Sequence, residues 1–422
     1  MFEKIASFLK KQNDVVEWQI TRDREISAQL YVTDYKTESD RNIEQERYSV
    51  SLLTKKDEPD FIGESVVLIQ PGDDVEEKLT ATLKRAGYVK NKAYTLPETS
   101  ETAPTQFVRN DVSKTVAKIA KDYEGIKELE GVKLSYFEVF VTDRETCIEN
   151  SKGLKTEESL LSIFTEFVLL SADGNHEAYN SKRSGNYEKL NIEREIALSA
   201  DAVRNADSAK LPKNGKFNVL FTEEALDSLF NYFVNQAKAS SVYAGWSVLK
   251  ENEEIISEAK GDLVTLDSNP TIDGLISSSQ YDQNGLKREK LRLIDKNVFK
   301  KRTALQKYAC YTGVEATGPM GNIVVETGEK SLEELYQEGT VLEVQQFSTF
   351  EPSAVTGAFS GEIRFGKLRN KEGDISWIKG GSVSGKISDA FKNVRFSREE
   401  TERAAYRGPA GVLIYDLSVA GE

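Results

Sequence analysis

Apolar residues return at every second position along several stretches of this chain, and that period most limits what it can fold into. Ile26, Ala28, Leu30 and Val32 alternate with other residues inside a run from Glu17 to Thr54 that mixes polar and apolar types. Successive side chains of a strand point to opposite faces, so the pattern sets one side against a core. Between Val132 and Lys189, read as three long strands, Phe137, Val139 and Val141 oppose a wetter side formed by Tyr136, Glu138, Phe140 and Thr142. The alternation returns where Phe359, Ile363 and Phe365 are interleaved with Ser360, Glu362 and Arg364, and a further strand is read over Thr340 to Phe347. No strand–helix–strand alternation with continuous apolar runs marks a parallel sheet. The expected class is α+β: an N-terminal antiparallel sheet-and-helix region followed by a strand-rich C-terminal domain.

Two composition breaks divide the 422 residues: Leu96 to Arg109, with Pro97 and Pro104, and Leu211 to Gly215. They predict an N-terminal α+β domain over 1–95, a central α+β domain over 110–210 and the strand-rich domain over 216–422. Helices are expected at Met1 to Lys11, after Asp73 to about Ala86, at Val112 to Lys127 and at Ile192 to Asn205. Asp73 with Glu76 has the spacing of a cap and its reciprocal partner, and Ser331 with Glu334 repeats it. Past a short strand at Phe217, Val219 and Phe221, Thr222 is expected to cap a helix with one apolar face. Leu226, Leu229, Phe230, Phe233, Val234 and Ala237 form that face.

Charge and cysteine content exclude several partners. The formal net charge is −13, and the short basic clusters at Lys300 to Arg302 and Lys367 to Lys371 have acidic neighbours. Such a surface repels a phosphate backbone, so no direct nucleic-acid partner is expected. Cys147 and Cys310 are the two cysteines and show no CxxC spacing, which fits a reducing compartment with each thiol buried. No signal peptide and no run of membrane-spanning length is read, so a cytoplasmic protein without membrane contact is expected.

An ordered series of landmarks in the C-terminal half resembles the TldD/PmbA family. Asp267-Ser268-Asn269-Pro270 is followed by Tyr281-Asp282-Gln283-Asn284-Gly285-Leu286, similar to the family's aromatic-Asp-Asp-Glu-Gly turn with the acidic pair replaced. Asn322 to Leu335 resembles the family's turn and Ser-x-x-Glu-Leu helix. Ala354 to Gly361 is close to its Thr-Gly-x-Phe-Ser-x-Gly strand, with Glu362 displacing a small residue; Gly385 to Phe391 and Leu417 to Gly421 complete the series. The family pairs two kinds of subunit, a TldD kind that binds zinc through His-Glu-x-x-x-His and a PmbA (TldE) kind that does not. By this resemblance the motif falls on Glu223 to Ser228. Glu224 and Ala225 are retained, while Glu223 and Ser228 stand where the histidines would be.

Zinc hydrolysis needs about three protein ligands, usually including histidine, and an open position for water. The chain has a single histidine, His176, read as lying after a turn at Asp173-Gly174-Asn175, and no cysteine follows Arg395, where the TldD kind supplies a thiolate. No catalytic residue, metal ligand or cofactor is therefore expected, and Glu223, Glu224 and Ser228 mark a degenerate motif. Glu223 and Asp227 could form an acidic pair one turn apart, but a solvated first helical turn is the plainer reading. Gly380 to Lys386 imitates a phosphate-binding loop, yet Ile387 stands where a hydroxyl should reach magnesium, so a turn with Ser384 as a cap is expected.

The resemblance implies a non-catalytic subunit that joins a zinc-bearing TldD-like partner in proteolysis of unfolded or leader peptides, with a homodimer as an open alternative for the isolated chain. The alternatives are a free-standing homodimeric scaffold that binds peptides without a protease partner, and a hydrolase using an acidic pair or another metal. The last-domain helix is expected to be regular, since Glu223 and Ser228 have no shared ligand toward which to converge.

Overall fold

The computed structural model describes residues 1–98 and 109–422. Most of the first linker, including Pro104, lies outside the described residues. The N-terminal half builds β1 (Val15–Thr33), β2 (Lys36–Lys55), β3 (Phe61–Ile69), β4 (Asn91–Lys92), β5 (Val132–Asn150), β6 (Lys155–Ser171) and β7 (Glu177–Ser184). These form one antiparallel sheet in the order β4-β3-β2-β1-β5-β6-β7. The pairing of β1 with β5 joins the two N-terminal segments into a continuous surface, with Ala28 opposite Val141.

Helices α1 (Phe2–Lys10) and α2 (Val75–Tyr88) pack on one half of that sheet, and α3 (Val112–Glu124) and α4 (Ile192–Asn205) on the other. Each presents an apolar stripe: Ile5 and Leu9, Val75 and Leu79, Val116 and Ile119, Ile196 and Val203 are all buried. The cap of α2 is Asp74 rather than Asp73, because Asp74 Oδ1 accepts from the amides of Glu76 and Glu77. Asp73 instead accepts from the Gln70 amide and the Lys78 ammonium.

The C-terminal half adds β8 (Gly215–Thr222), β9 (Leu266–Asn269), β10 (Leu291–Asp295), β11 (Val298–Phe299), β12 (Asn322–Val325), β13 (Val341–Phe350), β14 (Ala358–Arg369), β15 (Ile375–Ile378), β16 (Ser382–Lys386), β17 (Val394–Phe396), β18 (Glu400–Arg403), β19 (Tyr406–Pro409) and β20 (Gly411–Ala420). Strands β13, β8, β20, β16 and β14 close on themselves, since β13 pairs both with β8 and with β14. Strands β11-β10-β9-β12-β19-β18 form a second sheet. A large shared core lies between them, including Phe221, Phe230, Phe233, Phe391 and Phe396. The α+β class and the strand-rich C-terminal domain are therefore present as expected, and the capping box at Ser331 and Glu334 is formed.

Besides the cap of α2, three local expectations fail. The Gly380 to Lys386 stretch ends in strand β16, and the short helix after it is capped at Lys386 without a side-chain bond, so Ser384 is not a cap. Cys147 is buried but Cys310 is exposed, on the outer side of the short helix Gln306–Thr312. The third concerns the segment after β8 and shapes the site below. Among the described residues, no helix is long and apolar enough to cross a membrane.

Candidate functional site

The chain leaves β8 through a distorted turn instead of a regular helix. Glu223–Leu226 is a 3-10 turn, and the α-helical turns begin only at α5 (Asn231–Gln236). Glu223 has φ 49°, in the left-handed region that costs a residue with a Cβ about 1 kcal/mol or more. Thr222 does not cap it; its hydroxyl lies 3.0 Å from Glu343 Oε1. The apolar face forms nonetheless, because Leu226, Leu229, Phe230 and Phe233 are all buried.

The strain at Glu223 has a visible counterpart in charge. Glu223 Oε2 accepts from Arg403 Nη1 at 3.3 Å and from Arg194 Nη1 at 3.0 Å, and Arg194 Nη2 also reaches Oε1. Arg403 Nε is 3.3 Å from Asp227 Oδ1, and its Nη1 is 3.7 Å from Glu195 Oε1. Lys182 Nζ approaches the same Glu195 oxygen at 2.7 Å. The guanidinium of Arg403 is therefore shared by carboxylates from α4 and from the turn after β8. Its side chain is 7% exposed and that of Glu195 3%. The solvated first turn expected for Glu223 and Asp227 is thus replaced by a largely buried ion network. Ionised groups stay charged in such surroundings only when paired, which this network achieves.

Burial opposes ionisation of Glu195, but Lys182 and Arg403 outweigh it and hold this carboxyl below the usual range. Burial raises Asp227 despite the attraction of Arg403, and it raises Glu224, which has Gln346 as its nearest donor. Burial lowers Lys182, with Arg403 adding repulsion, against the pull of Glu195.

Above the network lies a cavity of about 440 Å³ between β7 and α4 on one side and β13 and β14 on the other. Glu223, Glu224, Glu195 and Arg403 reach its wall, as do Tyr179, Gln346 and Phe365. Gln346 Nε2 lies 2.6 Å from Glu224 Oε2 and 3.3 Å from the carbonyl of Tyr179. Glu224 thus lines the cavity while remaining exposed to solvent, whereas Glu223 is turned into the ion network.

The donor set does not fit zinc. Glu223 is committed to two guanidinium groups, Ser228 offers only a hydroxyl, and Arg403 places positive charge among the carboxylates. Among the described residues, no three His, Cys, Asp or Glu side chains converge as a metal-binding group. His176 lies away from the cluster, its Nε2 2.6 Å from Asp207 Oδ1.

Sequence reasoning singled out Glu223, Glu224, Asp227 and Ser228 but not Glu195, Arg403, Lys182 or Gln346. One signal was available: Glu195 interrupts the apolar stripe of Ile192, Ile196 and Val203 on α4. A glutamate on the buried face of a helix asks for a cation from elsewhere.

Comparison with known proteins places these features among relatives. Residues 214–421 match the family model described as the PmbA/TldA metallopeptidase C-terminal domain. The Escherichia coli O157:H7 protein named metalloprotease PmbA is 22% identical over 233 residues, 53% of this chain and 51% of that protein. The matched stretch thus spans about half of that relative. An Archaeoglobus fulgidus protein named metalloprotease is 25% identical over 330 residues, 70% of this chain and 74% of its own length. Among solved structures, TldE from Thermococcus kodakarensis superposes with a TM-score of 0.83 at 18% identity, covering 100% of both chains. A Thermotoga maritima protein described as a proposed DNA gyrase modulator gives 0.83 at 20% identity, also over 100% of both. At these identities the structural likeness speaks for the fold.

Proposed function

From the premise that this chain belongs to the TldD/PmbA family, we propose that it is the PmbA/TldE-like, non-catalytic subunit of a peptidase assembly. Its partner is a TldD-like chain that carries zinc, and the substrate is an unfolded or leader peptide. The observation that carries this reading is the fate of Glu223. At the degenerate motif position, its carboxylate is bound by Arg194 and Arg403 and is unavailable to a metal. A cationic guanidinium inside the carboxylate cluster further disfavours a divalent ion by charge repulsion.

The chain's own contribution is then to hold a peptide. Strand β7 is the outermost strand of its sheet, and the carbonyl of Tyr179 takes its hydrogen bond from the Gln346 side chain. Extended polypeptides bind such edges through main-chain hydrogen bonds. Glu224 adds an acceptor beside that edge, on the solvent-open rim of the cavity.

The test is reconstitution. The purified chain alone should cleave no peptide, and mixing it with a His-Glu-x-x-x-His relative from the same organism should give a stable complex that does. A chain that remains a homodimer and never joins such a relative would favour the free-standing scaffold.

A further inference from the structure

The cavity is lined by both polar and apolar groups; several of its charged groups are paired, Glu362 and Lys379 also reach its wall, and one part of it is apolar. Arg403 is taken up by Asp227, Glu223 and Glu195, while Arg364 pairs with Glu177 at 3.4 Å and lies over the Tyr179 ring. Glu224 is bonded by Gln346. Deeper along the wall, Leu198, Ala202 and Ala206 project from α4 and its end, at the helical spacing that puts them on one side. Phe365 of β14 forms the opposite wall, and its ring is fixed against Trp377 with centroids 4.9 Å apart. The two alanines leave room between these walls. A volume of about 440 Å³ falls within the range of small-ligand sites, roughly 300–1,000 Å³. It suits one side chain with its adjoining backbone and excludes a folded domain.

The backbone edge lies beside this slot. Tyr179 lines the cavity from β7, and no strand among the described residues pairs with the outer edge of β7. The Gln346 carboxamide donates to both the Tyr179 carbonyl and Glu224, so the carbonyl on this edge accepts from an amide outside its own sheet.

We propose that the slot between Ala202 on α4 and Phe365 on β14 selects a large aliphatic or aromatic side chain of an extended polypeptide whose backbone lies along β7. This rests on the reading of the chain as a peptide-holding subunit and adds the class of residue it favours. The preference comes from removing apolar surface from water in a preformed cleft, with the polar rim holding the backbone in register. Ala202 is the specificity-determining position, because a larger side chain there occupies the space the ligand needs.

The experiment uses the full chain and fluorescein-labelled peptides of the form Gly-Gly-X-Gly-Gly, with X as Leu, Phe or Gly, read by fluorescence anisotropy. The Leu and Phe peptides should bind about tenfold or more tightly than the Gly peptide. Ala202→Phe should abolish that preference, and Ala202→Met, a milder change in case the first does not fold, should weaken it; thermal melts establish that each variant is folded. Equal affinity for all three peptides would overturn the slot while leaving peptide holding intact. Absence of saturable binding for every peptide would overturn the slot and peptide holding by the lone chain together. A preference that survives both folded variants would also overturn it. Co-purification with the zinc-bearing relative tests subunit pairing separately.

Discussion

Arg403, at the end of β18, places Nη1 3.7 Å from Oε1 of Glu195 in the first turn of α4, so one buried ion pair ties the C-terminal domain to the N-terminal sheet layer. Because the same guanidinium also serves Asp227 and Glu223, its removal leaves several carboxylates short of charge at once. Breaking a buried pair by removing one partner costs about 3–5 kcal/mol. Arg403→Ala should lose about that much in chemical denaturation, whereas the exposed Arg398→Ala should change stability by less than about 0.5 kcal/mol.

Glu195 makes part of the stability depend on pH. Its folded-state pKa is depressed, so its contribution is present above the ordinary carboxylate range and is lost as pH falls through the folded value. The stability difference between wild type and Glu195→Gln should therefore be largest near neutrality and shrink as the solution is acidified below about pH 4. Denaturation midpoints measured across that range decide it, and a constant difference would contradict the assignment.

The two neighbouring glutamates should behave unlike each other. Glu223 is bonded by two arginines, so Glu223→Ala should cost about 1–3 kcal/mol in spite of its left-handed backbone. Glu224 is exposed and its side-chain partner is the neutral Gln346, so Glu224→Ala should leave unfolding nearly unchanged. In the reconstituted pair, Glu224→Ala should lower peptide cleavage if this carboxylate helps hold substrate. Full cleavage by that variant would remove Glu224 from the account.

Phe230 tests the core beneath the site. It is fully buried, stacked on Tyr406 with centroids 5.8 Å apart and edge-on to Phe391. Phe230→Ala should cost about 3–5 kcal/mol and lower the melting temperature accordingly.

The strands and long helices were legible because their signals are local. The alternation around Phe137 and Val139 marked the buried face of β5, and α4 spans the expected Ile192 to Asn205. The turn after β8 was not, since buried residues at 226, 229, 230 and 233 suit a 3-10 turn followed by a helix as well as one continuous helix. What distorts it is a partner 180 residues away, Arg403, and nothing in the local pattern announces that contact. The Asp73 cap missed by one position for a simpler reason: Asp73 and Asp74 both have a capping side chain, and only geometry chooses between them. Cys310 was placed inside from residue type alone, although its short helix leaves that side open.

The central claim is that this chain lacks a metal centre of its own and acts through a zinc-bearing partner. The most direct measurement is zinc content and peptide cleavage side by side, for the repurified chain, for the TldD-like relative from its own organism, and for the two together. The account predicts no stoichiometric zinc and no cleavage for the chain alone, and cleavage by the mixture that chelator removes. Stoichiometric metal in the lone chain, with peptidase activity that persists through repurification and disappears on chelation, would contradict it.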